Sequence, residues 1–228
     1  MNKTLKKVTD GDIVDGHYTI PDGVAEIREG TFYECSSLKS INIPDSVTQI
    51  REYAFVGCSS LESITIPDSV TKIGPGAFED CSSLKSIIIP DGVTEIGWYA
   101  FDGCSSLESI TIPDSVTKIG QRAFKGCTGL KSIAIPDNVN SIGNGAFEEC
   151  ISLKKITIPD GVTEIGLRAF NGCKSLTNIT IPNGVTEIGE GAFYDCTSLK
   201  KVSLPKKVKL SYSVFYGCHP ELKIEYRN

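Results

Sequence analysis

A proline stands at every twenty-third position of this 228-residue chain, from Pro21 to Pro205. Cysteine keeps the same step from Cys35 to Cys196, and so does phenylalanine from Phe32 to Phe193. A repeat length of about 20 to 50 residues is typical of solenoids, in which each repeat is one supersecondary unit that stacks on the next. The chain is therefore expected to form one continuous array rather than separate domains joined by linkers.

The repeat unit reads L-x-x-I-x-I-P-D-x-V-T-x-I-G-x-x-A-F-x-x-C-x-S. In one copy, Leu84, Ile87 and Ile89 have the spacing of a short strand whose inner face packs on a core. Pro90 follows, and a proline is best tolerated where a strand ends because it lacks a backbone N–H. The first part of each unit therefore predicts one parallel strand and a turn.

The second part of the unit predicts a return path. Val93 and Ile96 place apolar groups on one side of a second, short extended arm, and Gly97 permits the next bend. Residues 100–104 have the apolar spacing of a single helical or 3₁₀ turn. The predicted fold is a β-rich α/β repeat solenoid, coiled in the right-handed sense, with one parallel strand, one second arm and one short helical or 3₁₀ turn per unit.

The repeats set the expected boundaries. Residues 1–20 are predicted to form an N-terminal cap, and residues 21–204 to form eight 23-residue repeats. The ninth copies of the repeated residues, Phe215 and Cys218, arrive one position early. Residues 205–228 are therefore predicted to be a degenerate ninth repeat and a C-terminal cap.

The segment L-x-x-I-x-I resembles the strand of a leucine-rich repeat. IPDSVTKIG followed by AF and C, as in Ile112–Cys127, resembles the BspA-type subfamily of bacterial surface proteins and of some protist parasites, and the match covers residues 18–204. Arg28 and Arg51 depart from the pattern, since later units have glycine there. The resemblance implies a non-catalytic protein-binding scaffold built on a curved parallel sheet, with a role in adhesion or host interaction.

Composition excludes several classes of protein. The chain is 40% apolar and 22% charged, and its apolar runs are far shorter than the roughly 20 residues of a membrane-spanning helix, so no membrane insertion is expected. A formal net charge of −5 argues against a general nucleic-acid binder. If residue 1 is the natural start, the absence of a secretory signal predicts a cytoplasmic protein; a fragment of a longer exported protein would be secreted or at the cell surface.

No residue pattern predicts catalysis, a metal site or a cofactor. The cysteines lie one whole repeat apart without a C-x-x-C pair, which favours buried, reduced thiols over zinc ligands or disulfides. One aspartate per repeat after the proline favours turn capping over calcium binding, which needs six to eight converging oxygens. His17 and His219 lie at opposite ends of the chain and are not expected to share a site.

The charged residues on the outer face of the first-arm strands alternate in sign through Lys39, Glu62, Lys85 and Glu108, so neighbouring repeats compensate each other. The second arm has the same alternation through Lys72, Glu95 and Lys118. That compensation stops toward the C-terminus, where lysines accumulate at two adjacent positions of the repeat: Lys131, Lys154, Lys155, Lys200 and Lys201. Two interpretations stay open. The lysines form a docking patch for an acidic protein or polymer, or they prevent edge-to-edge pairing of the last strand.

A second irregularity follows the glycine bend, where variable positions carry residue types that are enriched at interface hot spots. The candidate protein-binding residues there are Tyr53, Trp98, Tyr99, Arg122 and Arg168. The alternative is that they are ordinary isolated surface side chains.

Three functional hypotheses remain. The first is a protein-interaction scaffold that binds an unidentified partner, as a monomer or weak homo-oligomer. The second is a structural or assembly role, or a consensus-like scaffold, since residues 58–74 and 104–120 are identical. The third is an acidic-polymer binder that uses the lysine-rich C-terminal end.

Overall fold

The computed structural model describes residues 3–227, so residues 1 and 2 of the predicted N-terminal cap and residue 228 lie outside the described residues. The described chain is a parallel β-solenoid in which one 23-residue repeat makes one lap, and this confirms the predicted fold class. Each lap except the third contributes two short strands, which belong to two separate faces.

The first-arm strands come from the L-x-x-I-x-I segment, and they pair in parallel with a shift of 23 residues, as in the pair Ser86 and Ser109. The third lap contributes only an isolated bridge, between Ser63 and Ser86. The first-arm strands are β1 (His17–Thr19), β3 (Ser40–Asn42), β6 (Ser86–Ile88), β8 (Ser109–Thr111), β10 (Ser132–Ala134), β12 (Lys155–Thr157), β14 (Asn178–Thr180), β16 (Lys201–Pro205) and β18 (Lys223–Arg227).

The second-arm strands come from the V-T-x-I segment, and each is two residues long because the bend follows at once, at a glycine in most laps. Their isoleucines face the core and the residue before each isoleucine faces out. The second-arm strands are β2 (Glu26–Ile27), β4 (Gln49–Ile50), β5 (Lys72–Ile73), β7 (Glu95–Ile96), β9 (Lys118–Ile119), β11 (Ser141–Ile142), β13 (Glu164–Ile165), β15 (Glu187–Ile188) and β17 (Lys209–Leu210).

The predicted helical or 3₁₀ turn is present as a series of hydrogen-bonded turns rather than as a continuous helix. The N–H groups of Ala100, Asp102 and Cys104 each donate to the carbonyl three residues back. The intervening N–H groups, such as that of Phe101, donate to the next lap instead, at 2.8 Å to the carbonyl of Ala123. Because alternate donors are used between laps, the segment acts as a third ladder that ties the laps together.

The core consists of the repeated apolar residues, stacked in columns. The phenylalanine rings from Phe32 to Phe215 lie parallel, with centroids 4.9 to 5.6 Å apart between neighbours. A single lap would leave both faces of its ring in water, so burial of this column requires stacking.

The N-terminal segment covers the first lap. Leu5 and Val8 are buried, and the N–H of Val8 donates to the carbonyl of Thr31 at 2.8 Å. A short 3₁₀ helix, Asp10–Asp12, follows and is the single helical element of residues 3–227. None of the helices within that range has the length and apolar character needed to cross a membrane.

Candidate functional site

The lateral patch, defined as Tyr53, Trp98, Tyr99, Arg122 and Arg168, lies just after the bend between the second arm and the turn segment. The laps are tied closely here, since the N–H of Tyr99 donates to the carbonyl of Gln121 at 2.9 Å. Equivalent positions of adjacent laps are thus about one strand spacing apart, roughly 4.8 Å. Side chains from consecutive laps therefore form continuous columns on this surface.

Four patch residues share one column and a left-handed backbone conformation. The φ angles are 54° at Tyr53, 58° at Tyr99, 53° at Arg122 and 52° at Arg168. Four other laps fill the same position with glycine, which adopts this conformation without a Cβ clash: Gly30, Gly76, Gly145 and Gly191. For a non-glycine residue the left-handed region costs about 1–2 kcal/mol. The chain thus carries large side chains at positions where its own repeat offers an unstrained alternative.

The large side chains of this column lean onto the following lap. The Tyr53 ring lies over Gly76, where an added Cβ would come within 2.5 Å of two ring carbons. Arg122 covers Gly145 in the same way, since an added Cβ would lie 3.2 Å from its Cγ. The glycines next to these side chains are therefore needed for space as well as for their φ angles.

Tyr99 and Arg122 contact each other directly. The Arg122 guanidinium carbon lies 5.8 Å from the centroid of the Tyr99 ring, which is within the range of a cation–π interaction. The Gln121 amide nitrogen donates to the Tyr99 hydroxyl at 3.1 Å. These contacts hold an aromatic ring and a cation side by side on the surface.

Trp98 lies on the second-arm side of this column and is 54% exposed. It lines a groove of about 590 Å³ together with Pro75, Glu52, Lys72 and Glu95. Buried Ile73 and Val93 also contribute to the lining. The groove thus combines an apolar lining that includes an aromatic wall with charged side chains, a composition suited to holding one apolar side chain of a partner.

The structure brings together only some of the predicted patch. Tyr99 and Arg122 are in contact, whereas Trp98 belongs to the neighbouring groove. Arg168 lies two laps beyond Arg122 in the same column, with Gly145 between them. Sequence reasoning missed Glu52, Lys72 and Glu95 as parts of the site, although the alternating charges of the second arm could have indicated two of them.

The predicted anion-binding lysines are all exposed on the first-arm side, and they differ in their partners. Lys131 pairs with Glu108 at 2.9 Å and Lys201 with Glu225 at 3.0 Å. The other three predicted lysines have no ion pair within residues 3–227: Lys154, Lys155 and Lys200. Uncompensated charge therefore remains, but it is smaller than the sequence suggested.

The compensating charge columns predicted from the sequence are confirmed where the signs alternate. Lys85 lies 2.8 Å from Glu62 on the first arm, and Lys118 lies 3.6 Å from Glu95 on the second. These pairs are exposed, so each adds little to stability.

The cysteines are free, and those from Cys35 to Cys196 are buried. Each thiol from Cys58 onward donates to a phenylalanine carbonyl of the preceding lap, as Cys127 does to Phe101 at 3.2 Å. Burial raises the pKa of the Cys35 thiol to about 11, and it also raises the thiol pKa values of Cys81 and Cys127. Within the described range, no group of three metal-ligating side chains is found.

Two acidic side chains near the patch have raised pKa values. Burial raises the pKa of Asp102 to about 6, against a lowering by Lys125. Burial also raises the pKa of Glu79, one lap away. Both carboxyl groups are therefore easier to protonate than carboxyl groups in water.

The histidines lie apart, as the sequence predicts. His17 contacts the Ser40 hydroxyl at 2.9 Å in the first laps, while His219 accepts a hydrogen bond from the N–H of Glu221 near the last strand.

Comparison with known proteins identifies what the chain is similar to. A family model described as "BspA type Leucine rich repeat region (6 copies)" matches residues 16–131 and 94–221. The comparison of the sequence with curated proteins gives no match.

Several solved structures are similar to the described chain. A leucine-rich repeat protein from Bacteroides ovatus ATCC 8483 is 41% identical over 92% of this chain, with a TM-score of 0.85. This chain spans 55% of that protein. A leucine-rich repeat protein from Eubacterium ventriosum ATCC 27560 is 28% identical, with a TM-score of 0.62, over 93% of this chain and 66% of its own. A leucine-rich repeat protein from T. pallidum is 32% identical, with a TM-score of 0.55, over 80% of this chain and 77% of its own.

Proposed function

The chain belongs to the BspA-type leucine-rich repeat family, and we propose that it is a non-catalytic scaffold that binds a protein partner through the lateral patch and the Trp98 groove. We also propose a setting of adhesion or host contact, which the family resemblance supports.

The observation that carries the proposal is the left-handed column. Backbone strain of about 1–3 kcal/mol per residue persists only where the surrounding structure holds it, and such strain concentrates at functional sites. Tyr99 and Arg122 are large side chains at strained positions, while Gly76 and Gly145 show that the fold itself needs no side chain there. The left-handed conformation also occurs at Glu34, Asp80 and other acidic residues of a second column. What distinguishes Tyr99 and Arg122 is the aromatic ring and guanidinium that they hold in contact at such positions, and binding supplies a reason for that pair.

The chemistry of the surface indicates the kind of contact. Trp98 and Pro75 offer apolar surface for an inserted side chain of the partner. Arg122 presents a guanidinium that is already held by the Tyr99 ring, so little side-chain entropy is lost when it binds a carboxylate. The proposed partner is a protein that presents an apolar side chain next to an acidic one.

A non-catalytic role is supported by the same surface. Its ionisable groups are spread along the laps, and none of the described residues combines a nucleophile with a hydrogen-bonded base and an orienting acid. The groove is open and charged at its edge, which suits recognition of a surface rather than enclosure of a reacting group.

The test compares two matched substitutions. Trp98→Ala removes the aromatic wall of the groove, whereas Leu167→Ala removes an exposed apolar side chain from the equivalent position three laps away. Each variant is immobilised and used to capture proteins from extracts and surface fractions of the source cell and its surroundings, and the captured proteins are quantified by mass spectrometry. We expect a protein captured by the unmodified chain and by Leu167→Ala to be depleted at least tenfold with Trp98→Ala.

Thermal melting of the same variants provides the control for folding. Both side chains are exposed, so each melting temperature should stay close to that of the unmodified chain. Equal capture by Trp98→Ala and Leu167→Ala would remove the groove from the proposal.

A further inference from the structure

The two ends of the solenoid differ in how their apolar side chains are covered. At the first lap, Leu5 and Val8 are 8% and 3% exposed. At the last lap, the side chains of Ile224 and Tyr226 are 38% and 55% exposed. A repeat array needs its terminal core layer covered, and within the described residues the core layer is covered more completely at the first end than at the last.

The strand β18 is the edge of the first-arm sheet within residues 3–227, since β16 pairs with it on one side. The N–H of Lys223 donates to the carbonyl of Lys200 at 2.9 Å, and the N–H of Lys206 donates to the carbonyl of Arg227 at 3.1 Å. These backbone groups therefore face β16. The backbone N–H and C=O groups of successive residues in a strand point to opposite sides of it. Those of Ile224 and Tyr226 therefore face away from β16 and can pair with another strand.

Side chains of β18 also alternate between the two faces. Ile224 and Tyr226 lie opposite Val202 and Leu204 of β16, both buried, so they belong to the core face. Lys223, Glu225 and Arg227 belong to the outer face. The outer face thus alternates in charge along the edge strand.

We propose that two copies of the chain associate through antiparallel pairing of β18, about a two-fold axis at Ile224. In this register Lys223 of each copy lies opposite Glu225 of the other, on both sides of the axis. The outward-facing backbone groups of the two Ile224 residues meet as a hydrogen-bonded pair. The exposed core layers of the two solenoids then cover each other, and the interface is isologous.

The charges of Lys223, Glu225 and Arg227 favour this register over the one in which the two-fold axis is shifted by one residue. Moving the axis to Glu225 would place two Glu225 carboxylates opposite each other and Lys223 opposite Arg227, and directly opposed like charges are destabilising. The lysine of the edge strand therefore does not simply repel a second copy. Its position next to Glu225 favours one arrangement of two copies.

The contacts inside one chain leave this pairing possible. Glu225 lies 3.0 Å from Lys201, and a carboxylate with two oxygens can accept from a second lysine as well. Arg227 donates to the carbonyl of Ile181 and is thus already engaged. The pairing consequently depends on Lys223 and Glu225.

The experiment measures the mass of the full chain in solution by sedimentation equilibrium over a range of concentrations. We expect a reversible dimer. Lys223→Glu and Glu225→Lys each place like charges opposite one another twice per dimer, so each should raise the dimer dissociation constant by about tenfold or more. The double variant restores opposite charges and should dimerise as the unmodified chain does.

Mixing the two single variants gives the sharpest result. A chain with Glu at 223 and 225 and a chain with Lys at both are complementary to each other, so the mixture should form heterodimers although neither variant self-associates. Lys154→Glu makes the same charge change immediately before β12, away from the edge strand, and should leave the dimer intact. A monomer at every concentration, dimers in both single variants, or no association in the mixture would each overturn the proposal.

Discussion

Replacement of Phe124 tests how strongly stacking between laps stabilises the fold. Its ring is fully buried and lies parallel to two neighbours, with centroids 5.5 Å from that of Phe101 and 5.3 Å from that of Phe147. Phe124→Ala removes both contacts and leaves a cavity between rigid laps, and we expect it to lower the free energy of unfolding by about 3–5 kcal/mol.

Phe215 provides the matched comparison at the end of the column. It is partly buried and stacks on one ring, that of Phe193 at 5.6 Å. An aromatic pair contributes about 0.5–1.5 kcal/mol beyond area burial, and part of the Phe215 ring remains in water after folding. We therefore expect Phe215→Ala to cost roughly half as much as Phe124→Ala.

Urea unfolding followed by far-ultraviolet circular dichroism measures both changes. The slope of the free energy of unfolding against urea concentration serves as a check. A smaller slope in a variant would mean that its terminal laps unfold separately, so its two-state free energy could not be compared with that of the unmodified chain. Equal losses from Phe124→Ala and Phe215→Ala at unchanged slope would refute the reasoning that each lap depends on the laps on both sides.

Three further predictions concern side chains outside the phenylalanine column. Cys218 is only partly buried, so it should react with a thiol reagent well before the buried cysteines; rapid reaction of all the thiols in the folded protein would contradict their burial. Asp102 has its pKa raised from 3.8 to about 6, so the folded state binds more protons than the unfolded state between these values and stability should fall as pH rises through that window. Asp102→Asn should remove this fall in urea midpoints measured at the two ends of the window, and an unchanged pH dependence would rule out Asp102 as its cause. Lys154, Lys155 and Lys200 should give weak retention on heparin that decreases steeply with salt and is lost when all three are changed to glutamine; retention that survives these changes would place polyanion binding elsewhere.

Most of the fold was predictable because one constraint recurs in every lap. Pro90 ends a strand in the way its missing N–H requires, and Phe101 and Cys104 occupy the core positions that the spacing predicts. The turn segment was less predictable. Bonds between residues three apart are common to a 3₁₀ helix and to isolated turns, and only the structure shows that Phe101 donates to the next lap.

Some residues of the candidate site were predictable, but their arrangement was not. The breaks in the repeat marked Trp98 and Arg122, because each lies at a position that varies among units. The groove depends on how side chains of adjacent laps lean, which the sequence does not specify. The strain at Tyr99 also depends on a backbone angle, although glycine in four other laps of the same column was a usable signal.

Cysteine shows how a regular residue can have two roles. Its burial follows from the spacing, but its choice over another small apolar residue follows from the carbonyl of the preceding phenylalanine, to which the thiol of Cys127 donates. The Phe101 carbonyl oxygen also accepts a hydrogen bond from the N–H of Cys104, so the Cys127 thiol donates to the second lone pair of that oxygen.

The central claim is that the regular residues of this chain build the fold and that the partner contacts the side chains that interrupt the repeat. The most direct test is to place the photoreactive amino acid p-benzoylphenylalanine at position 98 or at position 167 and to irradiate each protein with extracts of the source cell and its surroundings. The account predicts a cross-linked protein at position 98 that is absent at position 167. Equal cross-linking at the two positions, or cross-linking only at position 167, would contradict it.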